Sequence, residues 1–365
     1  MNIKYCDFGL APKTLKERWS SAINEVIESG IFIGGPQKKL FETRFAEMIG
    51  SEFALGVSNG LDGLVLGLRA LGAKSDSTVA VPEHTFIATW NAVGIVGATP
   101  ISVEIGPDGL IDLGKLERLE PAPNFVIPVH MHGSVVDMNR LMSWAKIKNV
   151  KVIEDASQAH FGIIQNKYVG TFSDIGVFSL YPTKNLGALG DAGIMVTNDE
   201  KNFKILNSLS NYGTADNSKY KHELMGFNSR LDELQAAVLN VNLDYIHDWN
   251  AKRIELAELY KSKFKDSSIN FLDQQNSIFH HFIIFSKTRE KLRASLYEHG
   301  IGTEIHYPFL ASQEYERFKG VSKSIPSSFA IKMSEEGLSL PLHQWMNPKS
   351  IEIIADTVLK IGKQL

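Results

Sequence analysis

Three short stretches of the sequence combine residue types and spacings suited to organic chemistry on a bound small molecule. The most concentrated is 173–193, SDIGVFSLYPTKNLGALGDAG. A β-like run over 177–180 delivers Ser179, Tyr181 and Lys184 into a segment that turns glycine-rich. Lys184 stands among apolar neighbours, where desolvation disfavours the ammonium and lowers its pKa. The free amine is the form that condenses with a carbonyl to a Schiff base. Taken singly, Lys184 reads as a solvated loop lysine. The Ser-x-x-x-x-Lys spacing and the Gly-x-x-Gly-Asp-x-Gly run argue for more.

The second stretch is 152–162, VIEDASQAHFG. Asp155 falls at the carboxyl end of a predicted parallel strand, where open α/β sheets hold their ligands. A carboxylate there can pair with a cationic ring nitrogen, and Gln158 can serve a neighbouring oxygen. Capping a following helix is the commoner use of such an Asp. The third is Ser58-Asn59-Gly60 before a predicted helix, a strand-to-helix turn whose free amides and helix dipole suit a phosphate. Asn-Gly also serves backbone freedom alone in such turns. Phe86 offers a flat face for stacking, although most phenylalanines are simply core.

Together these groups describe one ligand with a phosphate, a ring nitrogen, a flat face and an aldehyde. That ligand is pyridoxal 5′-phosphate.

The elements that must position these groups follow from hydrophobic patterning. Segments 53–58, 78–82, 100–105, 125–130 and 150–155 read as buried strands, as do 175–180 and 193–197. Helical patterns over 61–71, 85–96 and 138–148 alternate with them, which predicts an α/β domain. After about residue 200 the pattern changes. A long helix or helix pair spans 231–264, followed by an apolar run at 279–285 and helices near 290–299, 329–336 and 348–361. The expected division is a large cofactor domain over 1–235, including an N-terminal helical segment, and a smaller α+β domain over 236–365.

The chain resembles the DegT/DnrJ/EryC1/StrS family of sugar aminotransferases, which have the aspartate aminotransferase fold type. The resemblance runs from Phe32-Ile33-Gly34-Gly35-Pro36 to Leu338-Ser339-Leu340-Pro341-Leu342. Its markers are Glu154 to His160, Ser179 to Gly187, and Gly226 to Ala237, in that order. It implies a PLP-dependent transferase fold, with a mostly parallel central sheet covered by helices and a smaller C-terminal domain. Residue by residue, Lys184 matches the Schiff-base lysine that later moves the proton. Asp155 matches the partner of the pyridine nitrogen, Gln158 a group near the phenolic oxygen, and Phe86 the ring over the cofactor. Ser179, Asn59 and Gly60 match phosphate-binding positions, and Asn228 matches a residue reaching the phosphate from a neighbouring subunit. A homodimer with shared active sites follows from that last match.

Many members carry Ser-Gly-Thr where this chain has Ser58-Asn59-Gly60-Leu61-Asp62, so a hydroxyl contact to phosphate is lost and backbone donors must serve. The variant, the 184–191 string and His306-Tyr307-Pro308 are similar to the branch that aminates C3 of nucleotide-linked 3-keto-6-deoxyhexoses. The expected reaction passes an amino group from L-glutamate to a dTDP-linked 3-keto sugar by ping-pong kinetics. Amination at C4, or of a UDP-linked sugar, is the alternative. Tyr181, Arg230, His306 and Tyr307 are the candidate substrate contacts, Arg230 for an anion. The product would serve surface polysaccharide, S-layer glycan or glycoside assembly.

Composition narrows the remaining classes. The 365 residues are 44% hydrophobic and 22% charged, an ordinary globular balance. Lys+Arg 38 against Asp+Glu 41 gives a net charge of −3, with no basic excess for nucleic acid. The lone Cys6 precludes an intrachain disulfide. Neither a signal peptide nor a membrane-spanning run is evident, which implies a cytoplasmic protein.

No metal is expected. His130 and His132 would share a strand face without a third ligand, and His280 and His281 would point to opposite faces. A 3-dehydratase of the same fold would carry histidine in place of Lys184, and a regulatory member would be expected to lose Lys184 or Asp155.

Overall fold

The computed structural model describes residues 2–215, 220–319 and 325–363. Helices α1 (Lys13–Ser29) and α2 (Pro36–Ile49) lead into an alternating region. It runs β1 (Phe53–Val57), α3 (Gly60–Ala70), β2 (Thr78–Pro82), α4 (Ile87–Ile95), β3 (Thr99–Val103) and the single turn α5 (Leu113–Leu116). Then come β4 (Phe125–Val126), α6 (Met138–Lys148), β5 (Lys151–Asp155), a hairpin of β6 (Ile163–Ile164) and β7 (Lys167–Tyr168), β8 (Ile175–Ser179) and β9 (Gly193–Thr197). The seven-stranded sheet has the order β1-β9-β8-β5-β4-β2-β3. Only β9 runs antiparallel to its neighbours.

Apart from β5, which carries Lys151, Glu154 and Asp155, the strands are apolar along most of their length because both faces are covered. Leu64, Val65 and Leu68 of α3 pack with Val57, Ile153 and Val177 on one side. Phe41 and Phe45 of α2 pack with Phe178 and Ile194 on the other. β4 is shorter than the predicted 125–130 strand. Pro128 has no amide to donate, so beyond Val126 the ladder thins to single bonds: Asp155 N donates to the Pro128 carbonyl at 2.9 Å and His130 N to the Asp155 carbonyl at 3.0 Å.

The chain continues through α7 (Glu200–Ser210), α8 (Glu233–Leu243) and α9 (Ile246–Phe264), so the predicted 231–264 helix is a pair. Next come β10 (Asn270–Phe271), β11 (Phe282–Phe285), α10 (Arg289–Glu298), α11 (Ala311–Lys319), α12 (Ser328–Glu336), β12 (Gly337–Leu340) and α13 (Pro348–Gly362). A second, three-stranded antiparallel sheet, β10-β11-β12, carries a separate core in which Tyr260, Phe264, Phe282, Leu340 and Ile354 are buried together. Among the described residues no helix is long and apolar enough to cross a membrane.

Candidate active site

A cleft of about 500 Å³ opens where β1, β5 and β8 end. Their carboxyl ends aim the following loops to one side of the sheet, the usual place for ligands in such folds. Asn59, Gly60, Phe86, Asp155, Gln158, Ser179, Tyr181, Lys184, His306 and Tyr307, ten of the expected site residues, all line it.

Register explains why the two ends of the phosphate candidate meet. Gly193 pairs with Val57 on one side and with Ser179 on the other, which brings Ser179 beside the start of α3. A Cβ on Gly193 would lie 2.6 Å from the carbonyl carbon of Asn59, so only glycine permits that approach. Asn59 caps α3: its Oδ1 accepts from Asp62 N at 2.8 Å and its carbonyl from Gly63 N at 3.1 Å. The amides of Gly60 and Leu61 have no acceptor among the described residues. Two open donors at the positive end of a helix form an anion cradle. Ser58 does not contribute, because its hydroxyl is engaged with the Arg230 backbone at 3.1 Å.

Asp155 is 5% exposed, and its Oδ1 accepts from Ser157 N at 3.2 Å while its Oδ2 accepts from Thr89 Oγ1 at 3.1 Å. Lys184 follows β8 in a turn closed by its own amide on the Tyr181 carbonyl at 2.9 Å. Burial lowers its amine to about 8, with the Asp155 carboxylate pulling in the other direction. Gln158 Oε1 accepts from His132 N at 2.7 Å and its Nε2 donates to the Tyr307 hydroxyl at 3.0 Å, which fixes the amide's orientation. The half-exposed ring of Phe86 tilts against Tyr307 at 5.4 Å. Burial holds His306 at about 3, with help from the Lys184 charge, so its ring enters the site neutral.

Two expected residues lie outside this lining. Asn228 is exposed on a segment paired to Asn211, and Arg230 donates to Asn211 Oδ1 at 3.1 Å with its guanidinium over Tyr212. The histidine geometry differs from the strand reading. Met131–Gly133 is a tight 3-10 turn with His132 at φ 59, so His130 and His132 diverge rather than share a strand face. His130 bonds Glu154 at 3.2 Å, whereas His132 Nδ1 meets His281 Nδ1 at 3.1 Å. His280 and His281 precede β11 instead of lying on it. Their rings are 4.0 Å apart and both line the cleft.

Sequence reasoning missed Thr89, Ser157, His280 and His281. Thr85 and Thr89, four apart and flanking Phe86, were the legible signal for the first: their hydroxyls lie 3.2 Å apart on one face.

Comparison with known proteins extends the geometry. The chain is 36% identical, over 96% of its length and 94% of the relative, to the dTDP-3-amino-3,4,6-trideoxy-alpha-D-glucose transaminase of Streptomyces venezuelae. It is 38% identical, over 93% of its length and 94% of the relative, to the dTDP-3-amino-3,6-dideoxy-alpha-D-galactopyranose transaminase of Aneurinibacillus thermoaerophilus. The crystal structure of S. venezuelae DesV superposes with a TM-score of 0.94 at 34% identity, covering 100% of this chain and 99% of that one. Residues 13–359 match the family model that unites such enzymes, and the chain therefore belongs to the DegT/DnrJ/EryC1/StrS aminotransferase family, whose members work with pyridoxal 5′-phosphate.

Proposed function

We propose that this sugar aminotransferase moves the amino group of L-glutamate to C3 of a dTDP-linked 3-keto-6-deoxyhexose, giving a dTDP-3-amino-3,6-dideoxyhexose. The observation that carries the aminotransfer chemistry is the half-buried Lys184, its amine lowered to about 8, in one cleft with Asp155. The choice of sugar draws on the two dTDP-amino sugar transaminases to which the chain is similar.

The residues present suit the cofactor. The open amides of Gly60 and Leu61 would take its phosphate, with the Ser179 hydroxyl beside them. Phe86 would cover one face of its ring, and Gln158 would sit near its phenolic oxygen. When bound, pyridoxal phosphate supplies an aldehyde that condenses with amines and a protonated ring that draws electron density from the substrate carbon. Asp155, held by two donors, would keep the proton on the ring nitrogen, as a fixed anion does best in a site shielded from water. Lys184, once displaced from the aldehyde by the substrate amine, would take the substrate's α-proton at Nζ and hand it on to the former aldehyde carbon, across the nitrogen the two carbons share.

A second copy of the chain would complete the site with Asn228. Exposed Ile31, Phe32 and Ile33 lie beside the Asn228 segment: Ile33 pairs with Asp232, and Glu233 N bonds the Phe32 carbonyl. With Tyr212, Leu224 and Met225 also exposed, this apolar surface supports a homodimer.

The test is to incubate the holoenzyme with glutamate and a panel of dTDP- and UDP-linked keto sugars, then to locate the new amine by NMR. Amination at C3 of a dTDP sugar is expected. Amine only at C4, or only on UDP sugars, would replace this substrate reading. No amine on any sugar would overturn it.

A further inference from the structure

We infer that His132 and His281 form a reciprocal pair through which His281 meets both substrates, donating to a carboxylate in one state and accepting from a sugar hydroxyl in the other. This rests on the aminotransfer reading above, because a double-displacement reaction makes one cleft hold an acidic amino donor and a hydroxylated sugar in turn.

The geometry ties the two rings together. Their Nδ1 atoms lie 3.1 Å apart, both residues are buried, and His281 lines the cleft while His132 stands behind it. Two bare nitrogens cannot face each other at that distance, and neither can two N–H groups, so one ring donates and the other accepts. A neutral imidazole carries one N–H. When His132 supplies the Nδ1 proton, His281 must therefore carry its own on Nε2, and when His281 supplies it, its Nε2 is bare.

Three further observations leave that choice open to a ligand. First, His132 Nε2 is buried without a partner, so each state leaves one unsatisfied atom there and the protein gains no extra hydrogen bond from either. Second, the His281 ring is held in place: it stacks on His306 at 3.8 Å, and His306 Nδ1 is tied to Ser339 Oγ at 2.9 Å. Protons can rearrange there without moving the ring. Third, both rings stay neutral, since burial above all, and the nearby Lys184 charge with it, disfavours an imidazolium.

The cleft also needs such a contact. Among its described lining residues Lys184 is the one lysine or arginine, and it is committed to the reacting carbon. A carboxylate, which only accepts, selects His281 Nε2–H. A sugar hydroxyl can donate, and it selects the bare nitrogen, the stronger acceptor of the two partners. Passing from the first state to the second moves one proton from His132 Nδ1 to His281 Nδ1. His281 Nε2 releases one to water in the cleft, and His132 Nε2, sealed off while the site is closed, gains one as the site opens between the two substrates, so the pair keeps two protons throughout.

The experiment is NMR of the holoenzyme labelled with 15N-histidine, saturated in turn with glutarate and with a dTDP-linked hexose lacking a keto group. His281→Gln and His132→Phe assign the signals. His281 is expected as the Nε2–H tautomer with glutarate and as the Nδ1–H tautomer with the sugar nucleotide, with His132 showing the opposite each time. The same His281 tautomer in both complexes, or an imidazolium in either, overturns the pair while leaving aminotransfer intact. A cofactor absorbance that responds to neither ligand overturns the substrate reading and this inference together. As a second measurement, His132→Phe frees His281 to keep its proton on Nε2. The KM for the keto sugar should then rise about tenfold while that for glutamate changes less than about twofold. Equal rises in both would mark His132 as structural only.

Discussion

Thr89 Oγ1 lies 3.1 Å from Asp155 Oδ2 in the buried floor of the cleft, and Thr85 Oγ1 lies 3.2 Å from that same hydroxyl. The other carboxylate oxygen takes the Ser157 amide. Two donors from two elements, α4 and the turn after β5, thus hold the carboxylate in one orientation before any ligand arrives. An anion fixed in this way stabilises developing positive charge without having to reorganise.

Thr89→Val keeps the shape of the side chain and removes the hydroxyl. We expect kcat to fall about tenfold while the cofactor dissociation constant changes less than about threefold, the size of one hydrogen bond to a charged group. Thr89→Ser should recover most of the rate. Stopped-flow measurement of the glutamate half-reaction checks this, and lost cofactor with an unchanged rate would assign the contact to folding alone.

Lys184 sets a pH dependence whose sign follows from its burial. Its amine is lowered from 10.5 to about 8, so the ammonium predominates below that pH and cannot attack an aldehyde. Capture of pyridoxal phosphate by the cofactor-free protein should accelerate about tenfold per pH unit up to about 8 and level off above it. Since the Asp155 carboxylate raises this amine, Asp155→Asn should move the inflection to lower pH. An inflection near 10.5 would put Lys184 in open water, and Lys184→Ala should abolish both capture and turnover.

The parallel half of the fold was legible because strands covered on both faces are apolar at their centres, as Val79-Ala80-Val81 and Phe125-Val126 are. Lys184, Asp155 and Ser179 were legible because each lies in a dense local motif at a strand end. What stayed hidden depends on contacts distant in sequence. His281 meets His132 across 149 positions, and the turn that throws His132 off the strand path puts a histidine, not only the adjacent Gly133, at positive φ. The two-residue β6 and β7 are too short to show any period. Arg253 was equally silent. It looks like one more polar residue of α9, yet it is buried and donates to the carbonyls of Phe279, His280 and Leu342, which fixes the chain just ahead of β11.

Glu233 tests how the wall around residues 31–38 is held. Its carboxylate, 1% exposed at the start of α8, accepts from Gly35 N at 3.0 Å, Gln37 N at 2.8 Å and Lys38 N at 2.9 Å, capping α2 from across the fold. Glu233→Gln keeps one acceptor and turns an N–H against the amides that the other had served. We expect a loss of about 2 kcal/mol, seen as a lower urea midpoint with an unchanged slope. An unchanged midpoint would mean that water caps α2 equally well.

The proposed sharing of the site between two chains yields a complementation test. Asn228 is exposed and outside the cleft lining of its own chain, so the proposal has it reach the phosphate of a second copy. Lys184→Ala removes the reacting amine, and Asn228→Asp sets a negative charge against the phosphate. In a mixed dimer of the two variants, one site then carries both lesions and the other carries neither. Random pairing makes about half of the dimers mixed, each with one intact site of two, so about a quarter of wild-type activity should return when the variants are co-expressed. Each variant alone stays near background, and doubly tagged dimers should hold all of the recovered rate. If Asn228 instead served its own chain, each mixed dimer would have one lesion in each site, and activity would not return although the chains still paired.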